Sequence, residues 1–299
     1  MTDNRNPVDA LKIKKKYKKQ NQLKEIWHRL KKNKTSVLGL VIIGFIIILS
    51  IASGFIYDYD KDIISQNISE RLQFPSIEHP FGTDELGRDI MARIIYGSRT
   101  SLSIGFITVV LALIVGGMLG AVSGFYGGYV DNIIMRAMDI FLAIPGTLFA
   151  ITIVAALGTS TINLMIALSI SSIPRFARIV RSSVMTVRDV EFVEAARAIG
   201  ANNFRIITQH VIPNSLAPVI VQTTLSVATI ILTIAGLSFL GLGVSAPQPE
   251  WGAMLSSART YMREYSYMTL FPGLAIMVTI LSLNLLGDGL RDALDPRLK

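Results

Sequence analysis

Few side chains in this chain are placed for covalent or metal chemistry. His79, Asp84, Glu85 and Asp89 share one polar stretch, but their intervals match no recognised metal-ligand spacing. Helix capping by Thr83 or Asp84, with ion pairs of Glu85 to Arg88 or Asp89 to Arg93, accounts for them more cheaply. The sequence holds no GxxxxGK[ST] phosphate loop, no HExxH and no GxSxG, so nucleotide binding by that route and the common hydrolytic chemistries lack their signatures. With no cysteine in the chain, thiol nucleophiles, disulfides and thiolate metal sites are excluded. What remains is non-covalent recognition, and one segment has the residue types for it: RDVEFVEAARAIGANNFRIITQHVIPN, Arg188 to Asn214, a polar stretch between very apolar ones.

This segment reads as helix, break, helix. Glu191 to Ile199 is rich in helix formers, Gly200 suits the left-handed residue that ends a helix, and Ala201 to Val211 resumes helical spacing before Pro213. Phe192, Ala195, Ala196 and Ile199 recur on one stripe of the first arm, and Phe204, Ile207 and Val211 on one stripe of the second. The stripes either cover the protein's own membrane helices or form a docking piece. On the docking reading the adjacent Ala195 and Ala196, followed by Gly200, keep the surface flat enough for a groove to approach, and Glu194, Arg197 and Arg205 set orientation by charge.

The elements that must position this elbow are membrane helices. The 299 residues are 51% hydrophobic, with a mean hydropathy of +0.50, too apolar for an ordinary soluble domain. A formal net charge of +8 raises the question of nucleic acid, but the lysines crowd into residues 1–36 and the other basic residues are mostly arginines flanking apolar spans, a topological pattern. No nucleic-acid partner is expected. Six stretches are long enough to cross a membrane, near 37–57, 101–125, 137–157, 161–180, 215–244 and 268–286. The fold class is therefore all-α, polytopic, with the elbow between the fourth and fifth spans.

An even number of spans puts both termini on one side, and the lysines before the first span with the arginines around the elbow place that side in the cytoplasm. Residues 1–36 form a basic leader in which Leu23, Ile26, Trp27 and Leu30 share a helical face, suited to lying on anionic lipid or to a simple retention signal. Residues 58–99 form an outer loop with a helix starting near Thr83, and residues 100–299 the core, with the elbow at 188–214. Pro145 and Pro174 are expected to kink or break the third and fourth spans. Gly116, Gly120 and Gly124 make a small-residue stripe that serves either close helix packing or the lining of a path. No ionisable residue sits plainly at mid-bilayer, which speaks against an ion-driven carrier.

Glu194, Ala195, Ala196, Gly200, Ile212 and Pro213 reproduce the spacing of the EAA signature of ABC importer membrane subunits. The consensus has Ile where this chain has His210 and Leu where it has Ile212; HVIPN resembles the variant of the peptide-transporting branch. HPFGTDELGRDIMARIIYGSRTSL, GLSFLGLGVSAPQPEWGAML and GDGLRDALDPRLK are similar to that oligopeptide, dipeptide and nickel branch, in its C-type second membrane subunit. The four co-linear motifs span most of residues 79–299. The resemblance implies a multi-pass subunit of a bacterial cytoplasmic membrane and a heterodimer with a second permease subunit. It also implies two cytoplasmic ATPases that bind ATP and Mg, and an extracytoplasmic substrate-binding protein. This chain itself would hold no cofactor or metal. The coupling residues it implies are Glu194, Ala195, Ala196 and Gly200, to which Arg197, Ala201 and Phe204 are added by their place on the elbow. Peptide, nickel and metal chelate remain open as substrates, and a non-transporting assembly or receptor subunit is the other class.

Overall fold

A computed structural model of the chain describes residues 22–294; the lysine-rich leader before residue 22, the side chain of Leu23 and the last five residues of the carboxyl-terminal motif lie outside it. The described residues form helices with no strand, only an isolated bridge between Thr83 and Asp89. The helices are α1 (Gln22–Lys32), α2 (Lys34–Ile56), α3 (Ile90–Tyr126), α4 (Gly128–Leu142), α5 (Gly146–Leu157), α6 (Thr161–Met185) and α7 (Glu191–Ala198). They continue with α8 (Asn203–Phe239, including a π-helical turn at Ile206–Val211), α9 (Trp251–Ala258) and α10 (Tyr267–Leu294).

Local chemistry sets most of the starts. Asn33 caps α2 by accepting from the Thr35 and Ser36 amides, and Ser160 caps α6 through Asn163 N at 3.1 Å. In α2, Leu38, Val41, Phe45, Ile48 and Phe55 stand exposed, as a helix facing hydrocarbon requires. Leu30 of α1 is buried while Trp27 is exposed with Lys31 Nζ 4.9 Å from its ring.

α2, α3, α6, α8 and α10 are each long and apolar enough to cross a membrane, and α4 with α5 passes that test as a pair bent by 79°. The break falls at Ala143–Pro145, where proline was expected to act. The pair is a crossing: α4 begins beside Arg188, while Ser245 at the opposite end of the bundle donates to Thr159 O just after α5. Six crossings result. Pro174, by contrast, is carried inside α6 without ending it.

Both described ends of the chain lie with the elbow. Asn33 Nδ2 donates to Asp292 at 3.2 Å, and the end of α10 (Arg291, Leu294) borders one cavity with Thr186, Asn214 and Ser215. The glycine stripe of α3 packs on α6. A Cβ at Gly116 would lie 2.6 Å from Ile173 O, at Gly120 2.3 Å from Ala177 O and at Gly124 2.8 Å from Arg181 O, so these glycines serve helix contact and line no path.

At the far end the helix expected to start near Thr83 starts instead at Ile90, capped by Asp89 through Ala92 N at 2.8 Å. Thr83 and Asp84 build a turn before it: Asp84 accepts from the Leu86 and Arg88 amides and from Arg88 Nε at 2.7 Å. Of the expected ion pairs, Arg88 is 3.6 Å from Glu85, but Asp89 pairs with His79 (2.8 Å) and Arg93 donates to Ile63 O. The four residues considered as metal ligands are thus divided among these contacts.

The two far-end motifs form one unit. Trp251, 2% exposed, donates through Nε1 to Ile94 O, and Tyr267 through its hydroxyl to Thr83 O. Glu250, 1% exposed, caps α9 through Gly252 N and Ala253 N and accepts from Ser101 Oγ. Glu250→Ala strands two buried donors, Ser101 Oγ and Gly252 N, at about 1–3 kcal/mol each before relaxation, and the part-buried Ala253 amide at less. The expected result is a protein that loses its far-end packing, read as a fall of several degrees in the midpoint of thermal unfolding in detergent, with Glu250→Gln recovering part of it.

Candidate docking site

The elbow is a turn closed by its own backbone. Glu191 and Glu194 sit in the first turn of α7, matched to the positive end of the helix. At its end Gly200 takes φ +83°, Gly200 N donates to Arg197 O and Ala201 N to Ala196 O. This is the paired-bond closure in which a left-handed residue satisfies the last carbonyls of a helix. Two residues on, Asn202 Oδ1 accepts from Arg205 N at 2.8 Å and starts α8. The left-handed glycine and the break expected from the sequence are both present.

The second arm does not stop at Pro213. It runs into the fifth crossing through the π-turn Ile206–Val211, in which Ile212 N reaches back to Ile207 O, and Asn214 Nδ2 donates to His210 O at 2.7 Å. The widened turn accommodates a proline that would break a regular helix. The elbow is therefore continuous with a membrane helix, α8.

The inward face is Val193, Ala196, Ile206 and Val211, buried against Ala121, Phe125, Val180, Val184 and Val219. This corrects the expected stripe. Of Phe192, Ala195, Ala196 and Ile199, only Ala196 turns inward. Phe192 is 41% exposed, Ile199 86% and Phe204 of the second arm 76%; Ala195 and Glu194 are exposed beside them, and Ala201 is half-buried. Val211 of the second stripe is buried as expected and Ile207 half-buried. The result is one apolar face sunk in the bundle and a second turned out around Gly200.

Basic residues tie the elbow to α3 and α4. Arg181 makes a two-pronged pair with Asp131, which also accepts from Ser123 Oγ. Arg188 donates to Gly124 O at 2.8 Å, and the Arg197 guanidinium stands 5.5 Å from the Phe125 ring centre. Arg197 thus faces the bundle, while Arg205 donates to Gln209 at 3.1 Å. Val193, Ile206, Asp131 and Arg181 were missed as supports of the site. The one signal for Asp131 was a lone carboxylate just after the pair Gly127-Gly128 in an apolar region.

An exposed apolar elbow rooted in a six-crossing bundle can receive a partner and pass on its movement. Residues 116–299 match the family described as the binding-protein-dependent transport system inner membrane component. The chain belongs to that family of ABC importer permeases. Residues 21–75 match the N-terminal transmembrane domain of oligopeptide transport permease C, which places the permease in the C-type branch. It is 50% identical to a dipeptide transport system permease protein of Alkalihalophilus pseudofirmus, over 92% of this chain and 90% of that one. It is 44% identical to a di/tripeptide permease protein of Pseudomonas aeruginosa, over 93% of each. Against a glutathione transport system permease of Pectobacterium atrosepticum the identity is 42%, over 92% of this chain and 91% of that one. Among solved structures, an inward-facing form of the MetNI methionine ABC transporter superposes with a TM-score of 0.57 at 16% identity, over 69% of this permease and 98% of that chain. That likeness concerns the fold alone. The permease is accordingly a multi-pass membrane subunit of an importer and not itself an ATPase.

Proposed function

We propose that this permease forms half of the translocation path of an ATP-driven importer of di- and tripeptides in a bacterial cytoplasmic membrane. It pairs with a second permease subunit. Two ATPases, which bind the ATP and Mg, dock on the elbow from the cytoplasm, and a binding protein delivers substrate to the far end. The observation that carries the reading is the outward apolar face of Phe192, Ile199 and Phe204 around Gly200, on a segment continuous with the fifth crossing. Exposed Glu194, Ala195 and Gly200 and half-buried Ala201 complete the coupling surface, with Ala196 buried beneath it; Arg197 braces it through Phe125. The di- and tripeptide substrate follows the printed names of the similar permeases, and the glutathione permeases agree with a short peptide.

The orientation is testable because the chain has no cysteine. Ser76, Thr159 and Asn203 are all exposed. In intact cells an impermeant thiol reagent should label Ser76→Cys and Thr159→Cys fully, and Asn203→Cys only after permeabilisation. Labelling of Asn203→Cys from outside overturns the cytoplasmic assignment of the elbow and both termini.

A further inference from the structure

Four charged side chains outside the elbow share one open face of the bundle. Arg136 and Asp139 stand three residues apart on α4, Arg175 and Arg178 three apart on α6, and that spacing puts the members of each pair on one side of their helix. The Arg178 guanidinium donates to Asp139 at 2.5 Å, which joins the two pairs into one surface. The Arg178 and Asp139 side chains are 53% and 57% exposed, and Arg136 and Arg175 are exposed as well. Among the described residues Arg136 and Arg175 have no hydrogen-bond or ion-pair partner, so three guanidiniums stand against one carboxylate.

Their depth gives this face its meaning. The fourth span, expected to close near residue 180, continues to Met185, which carries Arg175 ten residues, about 15 Å, away from the end of α6 that joins the elbow. That is comparable to half of a ~30 Å hydrocarbon layer, and farther than the side chain alone can snorkel to the headgroups. The glycine stripe marks the matching level on α3: Gly116 meets Ile173 and Phe176 while Gly120 meets Ala177, so Arg175 lies level with Met118. Met118 is 67% exposed and apolar, as a lipid-facing residue is. Arg175 is exposed at the same depth and charged, and ionisable groups at such depth face a water-filled cavity or one another.

We propose that this face lines the cytoplasmic half of the translocation path, and that Arg175, the deeper of the α6 pair, meets the free carboxylate of a passing peptide. The inference rests on the peptide-import reading and deepens it by naming residues of the path. Water in the path solvates the charges, and their excess of cation draws an anionic group inward. Arg178 is engaged by Asp139, whereas Arg175 keeps its planar fork free for a carboxylate.

The test places single cysteines in this cysteine-free chain, in the complex of both permease subunits and both ATPases held in lipid nanodiscs. The reagent is the anionic sulfonatoethyl methanethiosulfonate, which attacks thiols in water, and labelling is read as a mass shift of this chain. At equal amounts of assembled complex, Arg175→Cys and Arg178→Cys should react at least tenfold faster than Met118→Cys. A rate for Arg175→Cys no faster than that of Met118→Cys overturns the path assignment, whether lipid or the second permease subunit covers the face. Uptake of alanylalanine by the same complex in proteoliposomes, with its binding protein, then reads the charge. Arg175→Cys should take up peptide at least fivefold more slowly than wild type, recover after labelling with the cationic trimethylammonioethyl reagent and stay slow after the sulfonatoethyl one. Equal uptake after the two labels overturns the carboxylate contact. Absence of alanylalanine uptake by the wild type removes the peptide-import reading and the carboxylate contact with it, while the labelling rates still decide whether the face meets water.

Discussion

Gly200→Val should reach the membrane in normal amount, pair with the second permease subunit and take up less than one-tenth of the wild-type substrate. Nothing lies within 4 Å of the position a Cβ would occupy there, so the substitution meets no clash. Its cost is conformational: φ +83° costs a side-chain-bearing residue about 1–2 kcal/mol, and a β-branched one more. The chain can relieve that strain by opening the closure in which Gly200 N and Ala201 N satisfy Arg197 O and Ala196 O. Opening it moves Ile199 relative to Phe204 and dismantles the outward face, while Val193, Ala196, Ile206 and Val211 stay anchored in their cluster. Gly200→Ala should show the same defect more weakly, and Gly200→Asn weaker still because asparagine tolerates left-handed backbone. The measurement is ATPase co-purification and uptake, each normalised to permease in the membrane. Wild-type uptake by Gly200→Val at normal abundance would make the elbow ordinary packing.

The existence of this elbow was legible in the sequence because its turn is decided locally, by one glycine and one asparagine cap. Which of its faces turns inward was not. Phe192, Ala195 and Ile199 share a side of α7 and Val193 and Ala196 share another, so both sides are apolar and periodicity alone cannot rank them. The choice is made by the shape of the surface formed by Ala121, Phe125 and Val184, residues distant in sequence. The start of α3 was misread for a related reason. Asp84 and Asp89 are equally good caps on composition, but Arg88 Nε and two amides hold Asp84 in a turn, and the following Gly87 takes φ +76° with a Cβ position 1.7 Å from Asn67 O. Helical backbone cannot run through that residue. Likewise Pro213 signalled a stop, and the π-turn that cancels the signal is a backbone adjustment with no residue signature of its own.

Gly120→Val should fail earlier and more completely, with folded permease below one-tenth of wild type. The strain here is between backbones. A Cβ on Gly120 would stand 2.3 Å from Ala177 O, 3.0 Å from Arg181 N and 3.0 Å from the Cβ of Val180, and none of these is a flexible end that swings aside. The helices must separate by more than 1 Å, on the order of the overlap with the usual ~3.5 Å contact distance. Separation at Gly120 also lifts Gly116 from Ile173 and Gly124 from Arg181, because all three lie on one stripe against α6. Overpacking at one point of a core typically costs about 1–3 kcal/mol; a wedge through a whole helix contact should exceed that range, since in a membrane close van der Waals approach is itself what holds helices together. The same displacement pulls Arg188 from Gly124 O and shifts Asp131 from Arg181, so the elbow loses its seat as well. Gly117→Ala supplies the control, because its nearest neighbours are the ends of Leu113 and Val180 at 3.8 and 4.0 Å, and it should be indistinguishable from wild type. Fluorescence-detected size exclusion of the detergent-extracted complex reads both variants. Normal amounts of monodisperse Gly120→Val permease would show that α3 and α6 are not held by this stripe.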